Sequence, residues 1–172
     1  MNSINQQKIK RRKKMANDKT LFEVIENERK AVKKYKPELL EMPEFITKNL
    51  KYDFFEWQKS ALENFLIFDR TSELDDFPDL KNKPTHLLFN MATGAGKTVM
   101  MAALILYYFE KGYRHFLFFV NQNNIVDKTE NNFIDPTHAK FLFTEKILQG
   151  DQVIPIRKVE TFSPHSDGIE IK

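Results

Sequence analysis

A short loop with two closely spaced glycines, Ala92-Thr93-Gly94-Ala95-Gly96-Lys97-Thr98, holds the residues of this chain that are best suited to chemistry. The chain has only five glycines, and two of them stand at positions 94 and 96. Glycine lets the backbone approach a ligand closely. Successive backbone N–H groups that point into one concavity hold anionic oxygens. The loop therefore predicts a cradle for the phosphates of a nucleoside triphosphate.

The side chains at the end of the loop predict how the triphosphate is held. Lys97 is expected to reach the β- and γ-phosphates, and Thr98 to place its hydroxyl on Mg²⁺. We take these two as the catalytic residues and Thr98 as the metal ligand. The predicted nucleotide-binding residues of the loop are Thr93, Gly94, Ala95, Gly96, Lys97 and Thr98. An ordinary glycine turn is the alternative, and it lacks the strand and helix that a phosphate loop requires on its two sides.

The sequence on either side of the loop predicts that strand and that helix. The apolar run 86–90 is typical of a buried strand. Residues 97–111 predict a helix that ends at Gly112. The N-terminus of such a helix carries a partial positive charge next to the phosphates.

The rest of the second half alternates in the same way. We predict a strand at 116–120, a helix at 125–133 and a strand at 140–144, with weaker strand signals at 153–159 and 169–171. This order predicts an α/β fold in which helices cover both faces of a parallel sheet.

The first half predicts helices that precede this sheet. Residues 20–36 form an amphipathic pattern that ends before Pro37. Residues 53–68 form a stronger pattern, with Asp53 as a candidate cap and Glu56 three residues later. Its predicted buried face consists of Phe54, Trp57, Ala61, Leu62, Phe65 and Phe68. Residues 69–84 are acidic and contain two prolines, which predicts a surface loop.

Composition limits the class of protein. The 172 residues contain no cysteine, which excludes disulfides and thiol chemistry. The net charge of +3 is uneven: residues 1–20 hold seven Lys/Arg and one Asp, whereas the remainder holds 20 basic and 23 acidic residues. The basic run at 8–14 predicts either a solvated disordered tail or a contact with nucleic acid phosphates. The polar N-terminus and the shortness of the longest apolar run, 99–109, predict a soluble cytoplasmic protein without a membrane partner.

The loop departs from the general phosphate-loop pattern at Met91, where a glycine is usual. Met-Ala-Thr-Gly-Ala-Gly-Lys-Thr instead resembles motif I of superfamily 2 helicases and DNA translocases. Together with the segments 42–65 and 116–122, it is most similar to the restriction (Res) subunit of type III restriction-modification enzymes. The resemblance implies a P-loop RecA-like fold with three α/β/α layers. It also implies an ATP-driven translocase that moves on double-stranded DNA with a modification (methyltransferase) subunit as partner.

The resemblance also implies roles for three amide side chains. Gln58 matches the glutamine that reads adenine in this superfamily, and an amide can donate and accept at the base edge at once. Without the resemblance, Gln58 would be interpreted as a helix-surface residue beside a core Trp57. Asn121 and Gln122 match the segment that contacts the sugar-phosphate backbone of DNA. Their alternative role is a polar cap between a strand and a helix.

The acidic motif that hydrolyses ATP in this superfamily, Asp-Glu-x-His or a relative, follows no apolar strand of this sequence. We therefore expect an incomplete first lobe, the N-terminal ATP-binding segment of a translocase, which binds ATP and Mg²⁺ without hydrolysing ATP. Two alternatives are a non-catalytic nucleotide-binding module from a truncated gene and another P-loop NTPase or kinase. The predicted organisation is a basic tail at 1–19, helices at 20–68, an acidic loop at 69–84 and a partial RecA-like domain at 85–172.

Overall fold

The computed structural model describes residues 20–70 and 86–172. Its helices are α1 (Leu21–Tyr35), α2 (Glu44–Asn49), α3 (Glu56–Arg70), α4 (Lys97–Glu110) and α5 (Asn123–Ile134), with a 3-10 helix at Pro37–Leu40. Its strands are β1 (His115–Phe116), β2 (Ile147–Gln149), β3 (Gln152–Ile154), β4 (Ile156–Lys158) and β5 (Ile169–Ile171). The predicted basic tail and most of the predicted acidic loop lie outside these residues.

Helix α1 confirms the predicted amphipathic helix, and local hydrogen bonds explain where it begins. The Thr20 hydroxyl accepts from the backbone N–H of Glu23 at 3.3 Å, and the Glu23 carboxylate accepts from the backbone N–H of Thr20 at 2.8 Å. This reciprocal pair satisfies two N–H groups that a helix start leaves unpaired. The helix ends before Pro37, which cannot continue it.

One compact unit comprises the described residues 20–41, 59–70 and 86–90. Its core is an apolar cluster around Ile25, Leu40 and Ile67. Arg29 donates to the carboxylate of Glu63 at 2.9 Å, which links α1 to α3 beside that cluster.

The other compact unit comprises residues 42–58 and 91–172 and contains the sheet. Its three strands lie in the order β1–β5–β4, and both pairings are parallel. Strand β5 is central and buried, with His115 and Arg157 as the neighbours of Glu170. The parallel sheet and the α/β class are therefore confirmed. Strands β2 and β3 form a separate antiparallel hairpin whose turn holds Gly150 at φ +61°.

Helix α4 is apolar almost all round, as a buried helix requires. Its buried residues are Met100, Ala102, Ala103, Leu106, Tyr107 and Phe109. It ends as predicted at Gly112, which takes a φ of +100° that favours glycine. No helix in the described ranges combines the length and the apolar character needed to cross a lipid bilayer.

A buried amide joins α2 to the hairpin. Asn49 is 2% exposed, and its amide donates to the carbonyls of Phe45 at 2.7 Å and Leu148 at 2.9 Å. The Asn49 side-chain oxygen accepts from the backbone N–H of Leu148 at 2.7 Å. Because the side chain pairs both backbone groups of Leu148, it fixes strand β2 against the helix.

Two predicted strands are wrong. Residues 86–90 form no strand, and Leu88 in their middle is 92% exposed, because no described segment supplies the ladder of hydrogen bonds that a strand needs. Residues 140–144 form no strand, since Lys140 lies in a turn and the sheet pairing of the segment is a single bridge between Phe143 and Leu50. Phe141, Leu142 and Phe143 are nevertheless all buried.

Two other predictions need smaller corrections. Strand β1 is shorter than the predicted 116–120, although the Phe118 N–H still donates to the Lys172 carbonyl at 2.9 Å. Helix α3 begins at Glu56 rather than at Asp53. Its first turn is closed by Gln58, whose side-chain oxygen accepts from the Phe55 N–H at 2.8 Å, so Asp53 is not its cap.

Candidate nucleotide-binding site

The glycine-bearing loop ends where helix α4 begins, without the predicted strand before it, and both of its glycines are left-handed. Gly94 has φ +80°, and Gly96, the N-cap of α4, has φ +76°. Side chains with a Cβ atom rarely adopt this conformation. The Ala95 N–H donates to the Ala92 carbonyl at 3.2 Å, which closes a tight turn across the loop. The two glycines therefore allow the chain to reverse direction immediately before the helix.

Backbone amides of the loop are available to a ligand, and four of them lie at or just before the start of α4. Among the described residues, no acceptor of this chain pairs with the N–H groups of Gly94, Gly96, Lys97 and Thr98. The first N–H groups of a helix are unpaired by geometry, and the helix dipole adds a partial positive charge at the same place. The loop thus has the donors that anion binding requires, and the binding itself stays a prediction.

Lys97 lies back over the loop. Its exposed Nζ donates to the carbonyls of Met91 and Ala92, each at 2.9 Å. The ammonium is therefore within the loop, where it can exchange these carbonyls for phosphate oxygens. Thr98 is half-buried in the first turn of α4.

Gln58 comes to the loop from helix α3. It is 1% exposed, and its Nε2 donates to the carbonyls of Ala95 at 3.1 Å and Gly96 at 3.3 Å. The structure thus brings Gln58 together with the phosphate loop through contacts that the sequence analysis did not anticipate. Its predicted contact with adenine stays a prediction.

Trp57 also contacts the loop, although it was predicted to lie in the core. It is 54% exposed, and its Nε1 donates to the Ala95 carbonyl at 3.2 Å. Its ring stacks on Phe55, with 4.5 Å between the ring centroids. The sequence contains a pattern that indicates the buried face of α3. Four buried residues recur at helical spacing, namely Gln58, Leu62, Phe65 and Leu66. Gln58 rather than Trp57 therefore lies on the buried face.

Asn121 and Gln122 lie between β1 and α5, and both are exposed. Gln122 is the N-cap of α5, but its side chain makes no capping hydrogen bond. The alternative role as a side-chain cap is therefore not seen for Gln122. The predicted contact of these two residues with a nucleic acid backbone stays a prediction.

A second polar cluster surrounds Glu170 on the central strand. The Glu170 carboxylate is buried and accepts from the Ser163 N–H at 2.8 Å, with His115 Nε2 at 3.6 Å and Arg157 Nε at 4.0 Å. The hydrogen bond from Ser163 lowers the pKa of Glu170 below its usual value, against burial, which raises it. This carboxylate fixes the connection between β4 and β5.

Comparison with known proteins agrees with the resemblance in the sequence. Residues 51–170 match the family model described as "Type III restriction enzyme, res subunit". Over 165 residues, or 95% of this chain, the sequence is 81% identical to the "Probable type III restriction-modification enzyme HindVIP Res subunit" of Haemophilus influenzae. This chain covers 32% of the length of that relative. No solved structure matches this chain. The family model spans the phosphate loop and most of the chain, and the chain therefore belongs to the type III restriction enzyme Res subunit family.

Proposed function

We propose that this chain binds ATP with Mg²⁺ as the nucleotide-binding part of a DNA translocase of a type III restriction system. The observation that carries the proposal is the set of four unpaired loop amides at the start of α4, held open by two left-handed glycines. Amides in this arrangement favour the phosphates of a nucleotide. Membership of the Res subunit family supports ATP as that nucleotide.

The loop side chains complete the site. We expect Lys97 Nζ to leave the carbonyls of Met91 and Ala92 and to donate to the β- and γ-phosphate oxygens. The residues of the loop are compatible with a Mg²⁺ ion that is bound mainly by the phosphates. The Thr98 hydroxyl would hold it together with phosphate oxygens and water, and no group of three His, Cys, Asp or Glu in the described ranges forms a separate metal site. The ion would neutralise charge on the phosphates.

Hydrolysis needs residues that this sequence does not supply. An acidic pair that holds Mg²⁺ and orients the attacking water is part of phosphoryl transfer in P-loop enzymes. No Asp-Glu pair follows an apolar strand here. We therefore propose that the 172 residues bind ATP and that hydrolysis by the whole enzyme requires further segments.

The wider role follows from the family. We propose double-stranded DNA and a modification subunit as partners, with the exposed amides of Asn121 and Gln122 on the DNA backbone. Amides bind phosphate oxygens without reading sequence, which suits an enzyme that moves along DNA. The cytoplasm is the expected location.

A binding titration of the 172-residue chain tests the nucleotide proposal. Lys97→Ala removes hydrogen bonds from a charged donor, worth about 1.5–3 kcal/mol, so the Kd for Mg-ATP should rise about 10- to 150-fold. Lys140→Ala removes an exposed lysine outside the loop and is the matched control. Circular dichroism should show the same helix content in both variants. Equal affinity of wild type and Lys97→Ala, or no binding by the wild type, would refute the proposal.

A further inference from the structure

We propose that Gln58 is a positioning residue that sets the shape of the phosphate loop, whatever base the nucleotide carries. This inference rests on the proposed nucleotide site. It assigns to Gln58 a role different from base recognition. It also identifies one side chain that fixes both the start of α3 and the loop before α4.

The hydrogen bonds of Gln58 are directed within the chain. Nε2 has two hydrogens, and it donates to two loop carbonyls, those of Ala95 and Gly96. Oε1 accepts from the Phe55 N–H at 2.8 Å. With only 1% of the residue exposed, an adenine edge cannot reach this amide unless the amide first leaves the loop.

Peptide geometry links the contact between Gln58 and the loop carbonyls to the direction of the loop N–H groups. A trans peptide points its C=O and the following N–H in opposite directions, and no described bond is cis. The carbonyls of Ala95 and Gly96 point towards Gln58. The N–H groups of Gly96 and Lys97 must therefore point away from Gln58, where no acceptor of the described chain meets them. Gln58 thus helps to aim the N–H groups of Gly96 and Lys97, the second together with the N–H groups of Val99 and Met100, which also donate to the Gly96 carbonyl.

The glycine at 96 shows how close this contact is. A Cβ atom built at Gly96 would lie 2.3 Å from Gln58 Nε2, far inside van der Waals contact. A Cβ atom at Gly94 would meet nothing within 4 Å. Both glycines have a positive φ, but only Gly96 also has to leave room for the amide.

Trp57 offers a direct probe of the same contact. It is the one tryptophan of the sequence, and its Nε1 donates to the Ala95 carbonyl at 3.2 Å. Because Gln58 holds that same carbonyl, loss of the amide should move the peptide that the indole contacts. The emission of Trp57 therefore reports the shape of the loop without any ligand.

The test uses the 172-residue chain and three probes: Mg-ATP, Mg-GTP and Mg-tripolyphosphate. Gln58→Ala should raise the Kd for all three by a similar factor of about 5- to 100-fold, since two hydrogen bonds to the loop are lost. It should also change Trp57 emission in the unliganded chain. Gln152→Ala, which removes an exposed glutamine of the hairpin, should change neither. Weakening of ATP alone, or no weakening, would overturn the proposal in favour of base recognition or a passive residue.

Gln58→Glu keeps the test decisive if the alanine variant fails to fold. A carboxylate still accepts from the Phe55 N–H, but it cannot donate to the two loop carbonyls. Binding of all three probes should be lost at pH 7, and part of it should return, relative to wild type, as the pH falls and the carboxyl group becomes a donor. Absence of this recovery would contradict the positioning role. If the wild type binds none of the probes, the proposed function is wrong. The positioning role is then tested by the unliganded chain alone, and it is contradicted if Gln58→Ala leaves the Trp57 emission unchanged.

Discussion

Gly96→Ala tests the contact between helix α3 and the phosphate loop most severely. An alanine at φ +76° carries the strain of a left-handed residue, about 1–2 kcal/mol. Its Cβ atom would also lie 2.3 Å from Gln58 Nε2, so the end of this side chain would have to move and give up its two hydrogen bonds to the loop, at about 0.5–1.5 kcal/mol each. We therefore expect Gly96→Ala to lower the free energy of unfolding by about 2–5 kcal/mol.

Gly150→Ala separates the two contributions. Gly150 has φ +61°, but a Cβ atom there meets nothing within 4 Å, so only the backbone strain of about 1–2 kcal/mol applies. Urea unfolding followed by Trp57 fluorescence measures both variants in the same compact unit. Gln58→Ala should also cost less in the Gly96→Ala background than in wild type, because it removes the overlapping atom. Equal losses of stability in the two glycine variants would contradict a close contact between Gly96 and Gln58.

Two further predictions concern stability. Asn49→Ala removes the side-chain partners of the N–H and C=O groups of Leu148, so urea denaturation should show a loss of about 0.5–1.5 kcal/mol for each lost hydrogen bond. Glu170 has a lower pKa in the folded chain than its usual value, first because the Ser163 N–H stabilises its carboxylate. Its contribution to stability is therefore present above its unfolded pKa and is lost as the pH falls through its folded pKa. Acid titration of Glu170→Gln should show a shallower loss of stability below about pH 4.5 than wild type, and parallel curves would contradict this.

The sequence predicted the features that depend on local interactions. Helix α1 begins with a hydrogen-bonded pair only three residues apart, and helix α4 ends at a glycine, so both ends can be read from neighbouring residues. The glycine-bearing loop can be read in the same way, since its two glycines and its lysine lie within four residues, whereas its binding of phosphate stays a prediction. The position of these elements in an α/β fold followed from their order.

The errors lie where distant residues decide the outcome. An apolar run shows that a segment can be buried, but a strand exists only where a partner completes its hydrogen bonds. Residues 86–90 lack such a partner among the described residues, and residues 140–144 find one only at Leu50. The positions of Trp57 and Gln58 were predicted wrongly because the apolar spacing was counted from Phe54, which lies before the helix. Gln58 is also buried by hydrogen bonds to loop carbonyls far away in sequence.

The proposed nucleotide site requires that the loop amides at the start of α4 hold the phosphates of ATP. Amide chemical shifts of the ¹⁵N-labelled chain, followed during a titration with Mg-ATP, test this claim residue by residue. We expect the largest changes at Gly94, Gly96, Lys97 and Thr98, whose N–H groups have no acceptor within the described chain. Unchanged signals at these four residues at saturating Mg-ATP would contradict it.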